Sequence, residues 1–264
     1  MNDTFRVVNR LDHLMVESLQ PEPLFRVFTE AFGLPVAWPF DDYGELWSGG
    51  VVAGNVNLEF CRFKERRFGK ADAWENGLLA RFGGLAFEPS MPVTELAGQL
   101  SGLGLAPGAG HATENWTDLE VKGLLEPPGL VFLSEYAFDA AAWRAQQQEA
   151  FREAGGGHLG LWGVQELSIG VRDLGEAQAW AGLLGGLPAV DQGAWLVGEG
   201  LTLRLVPWGK DEITGLTLRV GELEPVLALL EQAGYPCQET LAGVYLNPQA
   251  MLGLRFQLVD GDGT

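Results

Sequence analysis

One order of elements recurs four times along this 264-residue chain, and that repetition constrains the fold more than any single motif. Each copy starts with a short apolar, strand-like run, at residues 11–16, 85–87, 164–171 and 216–220. An amphipathic helix follows, recognised by apolar residues at helical spacing such as Leu24, Phe25, Phe28 and Phe32, or Leu223, Val226, Leu227 and Leu230. Every helix then meets a glycine with a proline close behind: Gly33 and Pro35, Gly104 and Pro107, Gly185-Gly186 and Pro188, Gly234 and Pro236. Glycine can adopt the left-handed turn that ends a helix, and proline cannot continue one. Two or three further strands close each copy. One such stop is common, but four in matching contexts are the trace of a duplicated module.

Within the first copy the strongest strand is 56–63, with Glu59 between Leu58 and Phe60. Residues 49–54, which hold three glycines, read as a flexible passage, and the charged stretch 65–76 reads as a solvated connector. In the second copy the closing strands are 117–124 and 129–136. The alanine- and glutamine-rich run 138–153 reads as a helix and Gly155-Gly156-Gly157 as a hinge, so the division falls there: 1–138, a linker at 139–160, and 161–264.

The formal charge of −18 excludes a nucleic-acid partner and an anionic membrane surface, because a phosphate backbone would be repelled. No apolar run reaches the length of a membrane span, and residues 1–9 lack a signal-like pattern. Two cysteines, Cys61 and Cys237, require no disulfide, which fits a reducing compartment. The expectation is a soluble cytoplasmic protein, with a homodimer compatible with the sequence and a small molecule as its partner.

Two stretches carry the chemistry: Leu11-Asp12-His13-Leu14 and Gly54-Asn55-Val56-Asn57-Leu58-Glu59-Phe60. With the fourfold repeat they resemble the vicinal oxygen chelate superfamily, which includes glyoxalase I, extradiol dioxygenases and bleomycin-resistance proteins. The resemblance runs from about Arg10 to Val259. It implies an α+β fold in which four βαβββ modules pair into two cupped eight-stranded mixed sheets. In that family a first-strand histidine and a last-strand glutamate of a module bind a metal in the cup. Carried over by position, the first-strand residues here are His13, Gly84, Glu166 and Gly215, and the last-strand residues are Glu59, Glu135, Arg204 and Arg255.

The resemblance therefore implies a divalent ion, Zn, Mn, Fe or Ni, held by His13, Glu59 and Glu135, with Glu59 or Glu135 able to act as a base. One imidazole and two carboxylates suit such an ion, although Gly84 leaves the fourth position without a donor. His111, Trp116 and Tyr136 are further candidates for the N-terminal cup, His111 on a swinging loop, with Trp38 and Trp47 as apolar walls. In the C-terminal half Glu166 faces two arginines, which cannot bind metal, so a glutamate bridging Arg204 and Arg255 is expected there, as a retired site or an anion pocket.

Two functions follow from the resemblance. One is metal-dependent isomerase, lyase or dioxygenase chemistry on a small oxygenated metabolite. A single histidine where extradiol dioxygenases use two favours the first two chemistries. The other is metal-free binding or sequestration of a small molecule, as in the bleomycin-resistance branch, and the missing donor at Gly84 fits it.

Overall fold

The computed structural model describes residues 5–65, 79–173, 178–240 and 243–261. Most of the connector at 65–76 thus lies outside the described residues. The first module runs β1 (Val8–Ser18), α1 (Pro21–Arg26) continued by a π-helical turn at Val27–Ala31, β2 (Val36–Asp42), β3 (Leu46–Val52) and β4 (Asn57–Phe63). The second runs β5 (Ala80–Pro89), α2 (Val93–Leu100), β6 (Ala106–Ala112), β7 (Trp116–Lys122) and β8 (Leu130–Tyr136). After α3 (Ala140–Glu153) come β9 (Leu161–Val171), α4 (Gln178–Leu184), β10 (Ala189–Asp191), β11 (Ala194–Gly198) and β12 (Leu201–Pro207). The last module is β13 (Glu212–Val220), α5 (Leu223–Gln232), β14 (Cys237–Thr240), β15 (Gly243–Leu246) and β16 (Phe256–Asp260).

The four modules build two eight-stranded mixed sheets, ordered β2-β3-β4-β1-β5-β8-β7-β6 and β10-β11-β12-β9-β13-β16-β15-β14. In the first, β1 and β5 meet antiparallel at the centre, and each runs parallel to the last strand of its own module. A parallel neighbour needs a crossover, and the helix of each module belongs to it.

Strand alternation sorts residues between two faces. Leu14, Val16, Leu58, Phe60, Leu85, Phe87, Val131 and Leu133 share the core face, and all are buried. That core is continuous across both sheets: Phe28 after α1 packs on Phe60 and on Phe256 of β16, and Phe82 of β5 also meets Phe256. The opposite face of the first sheet is thereby left to form a concave cup.

Several local expectations are revised. Three of the four glycine stops, Gly33, Gly104 and Gly234, have the left-handed backbone, whereas Gly185 and Gly186 end α4 without it. The glycines at 49–54 are not a flexible passage. Gly49 and Gly50 sit inside β3, paired with Phe60 and Glu59. Their role is space, since a Cβ on Gly50 would come within 2.3 Å of the Trp38 ring. Residues 106–112 form an edge strand, and β10 and β14 are largely exposed edge strands too short to show a periodic apolar pattern. Helix α3 does not stand free: Gln147 is buried and accepts a hydrogen bond from Asn57 Nδ2 at 3.0 Å.

Candidate functional site

The cup of the first sheet encloses a cavity of about 710 Å³, within the range of small-molecule sites. His13 and Met15 of β1, Glu59 of β4, and Leu130, Phe132, Ser134 and Tyr136 of β8 face into it. Trp38, Trp116, Phe138 and Trp143 contribute aromatic walls. Trp143 comes from α3 and packs against Tyr136 and Trp38, so the linker helix closes one side of the cup.

At the wall of this cavity lies a closed polar cluster. The strand register skips a residue between Leu11 and His13, which makes Asp12 the extra residue of a β-bulge. Such a bulge re-aims side chains, and here Asp12 Oδ2 sits 2.9 Å from His13 Nδ1. The Tyr136 hydroxyl donates to the same oxygen at 2.7 Å. On its other side His13 Nε2 lies 3.4 Å from Glu59 Oε2. Glu59 Oε1 accepts from Ser48 Oγ at 2.6 Å, and Ser48 Oγ in turn accepts from Trp38 Nε1 at 3.1 Å.

The electrostatics follow from that geometry. Burial works to lower the His13 pKa, but the hydrogen bonds to Asp12 and Glu59 and the two carboxylate charges outweigh it and raise the value to about 10. His13 is therefore an imidazolium between two carboxylates at neutral pH. Burial works to raise the Asp12 pKa, yet His13 and Tyr136 hold it below the ordinary carboxylate value. Burial and the Asp12 charge push the Tyr136 phenol well above its usual range.

Of the residues expected in the cup, His13, Trp38, Glu59, His111, Trp116 and Tyr136 line the cavity, and Trp47 and Glu135 do not. Glu135 points to the other face of β8, between cup-facing Ser134 and Tyr136, and its carboxylate accepts from Val93 N at the start of α2 at 2.9 Å. The strand register explains the error. His13 lies opposite Asn57 and Glu59 follows two residues on; Gly84 lies opposite Leu130, so the matching position is Phe132. The same reasoning holds in the second sheet. Arg204 follows two residues after Thr202, the partner of Glu166, as expected. Gly215 precedes the Leu216–Phe256 pair, so its match is Gln257 and not Arg255.

Two further readings are corrected. His111 is not on a swinging loop but on β6, in register with Asp118 and 3.9 Å from Glu45 Oε1. Glu166 does not bridge two arginines. It pairs with Arg204 at 2.7 Å, and Arg204 also holds Asp191 at 2.8 Å, while Arg255 lies 5.4 Å from the Trp208 ring centre. Asp12 and Trp143 escaped the sequence reading. Asp12 is hidden by alternation, which a bulge breaks, and Trp143 by its position in a run that reads as a spacer.

A resident divalent ion needs at least three protein donors. His13 Nε2 and Glu59 Oε2 supply two, and the positions that would complete the set hold Gly84 and Phe132. Among the described residues no group of three histidine, cysteine, aspartate or glutamate side chains is placed to hold an ion. The donor set does not fit the metal that the resemblance implies.

No protein-family model matches the sequence, and no curated protein matches it. Solved structures do match the fold. The 2,3-dioxygenase LapB from Pseudomonas sp. KL28 aligns with a TM-score of 0.58 at 15% identity, over 98% of this chain and 94% of that one. A variant of 4-hydroxymandelate synthase from Streptomyces coelicolor aligns at 0.62 and 13%, over 98% and 94%. Homoprotocatechuate 2,3-dioxygenase from Brevibacterium fuscum, in complex with 3,4-dihydroxyphenylacetate, aligns at 0.60 and 11%, over 98% and 82%. The chain has the paired-module, α+β fold of these solved structures. At these identities the likeness is one of architecture.

Proposed function

We propose that the chain is a metal-free binding protein whose N-terminal cup takes up one small molecule with an aromatic or apolar body. The observation that carries this reading is the closure of Asp12, His13 and Glu59 on one another beside Phe132 and Gly84. A proton shared along that cluster supplies the positive charge that an ion would otherwise bring, and the aromatic walls supply the contact area for a ligand. Trp116 and Trp143 pack the ligand's faces, while His111 stands near the mouth.

The test combines metal uptake with binding of an uncharged probe. Metal-stripped protein is dialysed against Zn, Mn, Fe(II) and Ni and analysed for bound metal, beside a His13→Ala variant. Binding of 1-naphthol is followed by tryptophan fluorescence, beside a Trp116→Ala variant. The expected result is far less than one metal per chain, unchanged in His13→Ala, with saturable 1-naphthol binding that weakens in Trp116→Ala. One tightly held metal per chain, lost in His13→Ala, would overturn the proposal in favour of a metal-dependent enzyme.

A further inference from the structure

The charges that face the cavity are lopsided. Glu45, Glu59, Asp118 and Glu120 line it, and among the described residues that do so none is a lysine or arginine. His13, a cation at the cavity wall, is enclosed by Asp12 and Glu59 and offers no free charge to a ligand, and His111, the other histidine of the lining, lies 3.9 Å from Glu45 Oε1. Asp118 and Glu120 stand two residues apart on β7, on the same face as Trp116. Ser134 donates to the Asp118 carboxylate. Glycine at 108 leaves the room that the Glu120 carboxylate fills, because a Cβ there would sit 2.3 Å from its oxygen.

We propose that the ligand of the cup is a cation, a protonated or quaternary amine carried on an aromatic body. The assignment rests on the cup being a small-molecule site. An ammonium group gains from the β7 carboxylates and from the negative faces of nearby indole rings at once. A carboxylate or phosphate ligand meets the repulsion of these carboxylates with no lysine or arginine among the described lining residues to offset it, and the chain's overall charge adds to that repulsion. Burial raises the Asp118 pKa, and the Ser134 hydrogen bond and the His13 and His111 charges oppose that shift without cancelling it.

Three probes with one body separate the possibilities: 2-naphthylmethyl-trimethylammonium, its uncharged carbon isostere 2-neopentylnaphthalene, and 2-naphthylacetate. Affinities are measured for the full chain and for the Asp118→Asn and Glu120→Gln variants, with thermal melts to confirm folding. The expected order is cation above neutral by about tenfold or more, with the anion weakest. Each variant should lower cation affinity by about tenfold and change neutral affinity by less than about twofold. Should one variant fail to fold, the other carries the comparison. Equal or tighter binding of the neutral or anionic probe would overturn the cation assignment and leave the cup a binding site. If none of the three bound, both that reading and this one would fall.

Discussion

Replacing His13 with glutamine should change how stability depends on pH, with a sign fixed by the site. In the folded chain the imidazole pKa is about 10, against 6.5 for an ordinary histidine. A raised pKa means that the folded state keeps a proton the unfolded state has lost. The stabilisation is complete below about pH 6.5 and is lost as pH rises towards 10. Each pH unit crossed removes about 1.4 kcal/mol, so the loss across the window is on the order of 4–5 kcal/mol. Tyr136 and Cys61, both with raised pKa values, add losses of their own at the alkaline end. Comparison with His13→Gln removes those shared contributions. Urea unfolding of both proteins at intervals from pH 6 to 9.5 gives the difference in stability at each pH. That difference should shrink by several kcal/mol with rising pH. If it stayed constant to within about 0.5 kcal/mol, the proton on His13 would contribute nothing and the reasoning would fail.

Two other substitutions probe how the fold holds the cup. Gly50→Ala would place a Cβ within 2.3 Å of the Trp38 ring, so the indole must move and release its bond to Ser48. Overpacking together with a lost hydrogen bond should cost about 2–4 kcal/mol, read as a lowered urea midpoint, and should weaken 1-naphthol binding. Gln147→Ala strips the buried Asn57 amide of its acceptor on α3. A cost of about 1–3 kcal/mol is expected by the same assay, and an unchanged midpoint would mean that α3 is not anchored there.

The four-module architecture was legible because its signals are local and repeated: an apolar strand, a helix with one buried face, and a glycine stop. His13 and Glu59 were brought together by the family resemblance, carried over by position, and that carry-over puts both on the cup because each lies on a long, well-paired central strand. Glu135 and Arg255 were misplaced because a carry-over by position alone cannot fix the register of a closing strand. The three-residue slip between Phe132 and Glu135 is odd and moves the side chain to the other face, whereas the two-residue slip between Gln257 and Arg255 keeps the face and shifts the position along the strand. Asp12 was invisible for a related reason, as a bulge breaks the alternation that assigns faces. The glycines of β3 misled differently. They look like flexibility but are clearance for Trp38, which only its contact across the β2–β3 pair reveals. Trp143 shows the remaining limit: an alanine-rich run predicts a helix and says nothing about what that helix covers.

Whether a proton or a metal sits on His13 Nε2 is read directly by nitrogen NMR of the imidazole. The chain has three histidines, so the His13→Gln variant assigns the signal. At pH 8 both ring nitrogens of His13 should be protonated, and the spectrum should not change on adding one equivalent of Zn. An unprotonated Nε2 at that pH, or a His13 signal that shifts stoichiometrically with the metal, would contradict the metal-free reading.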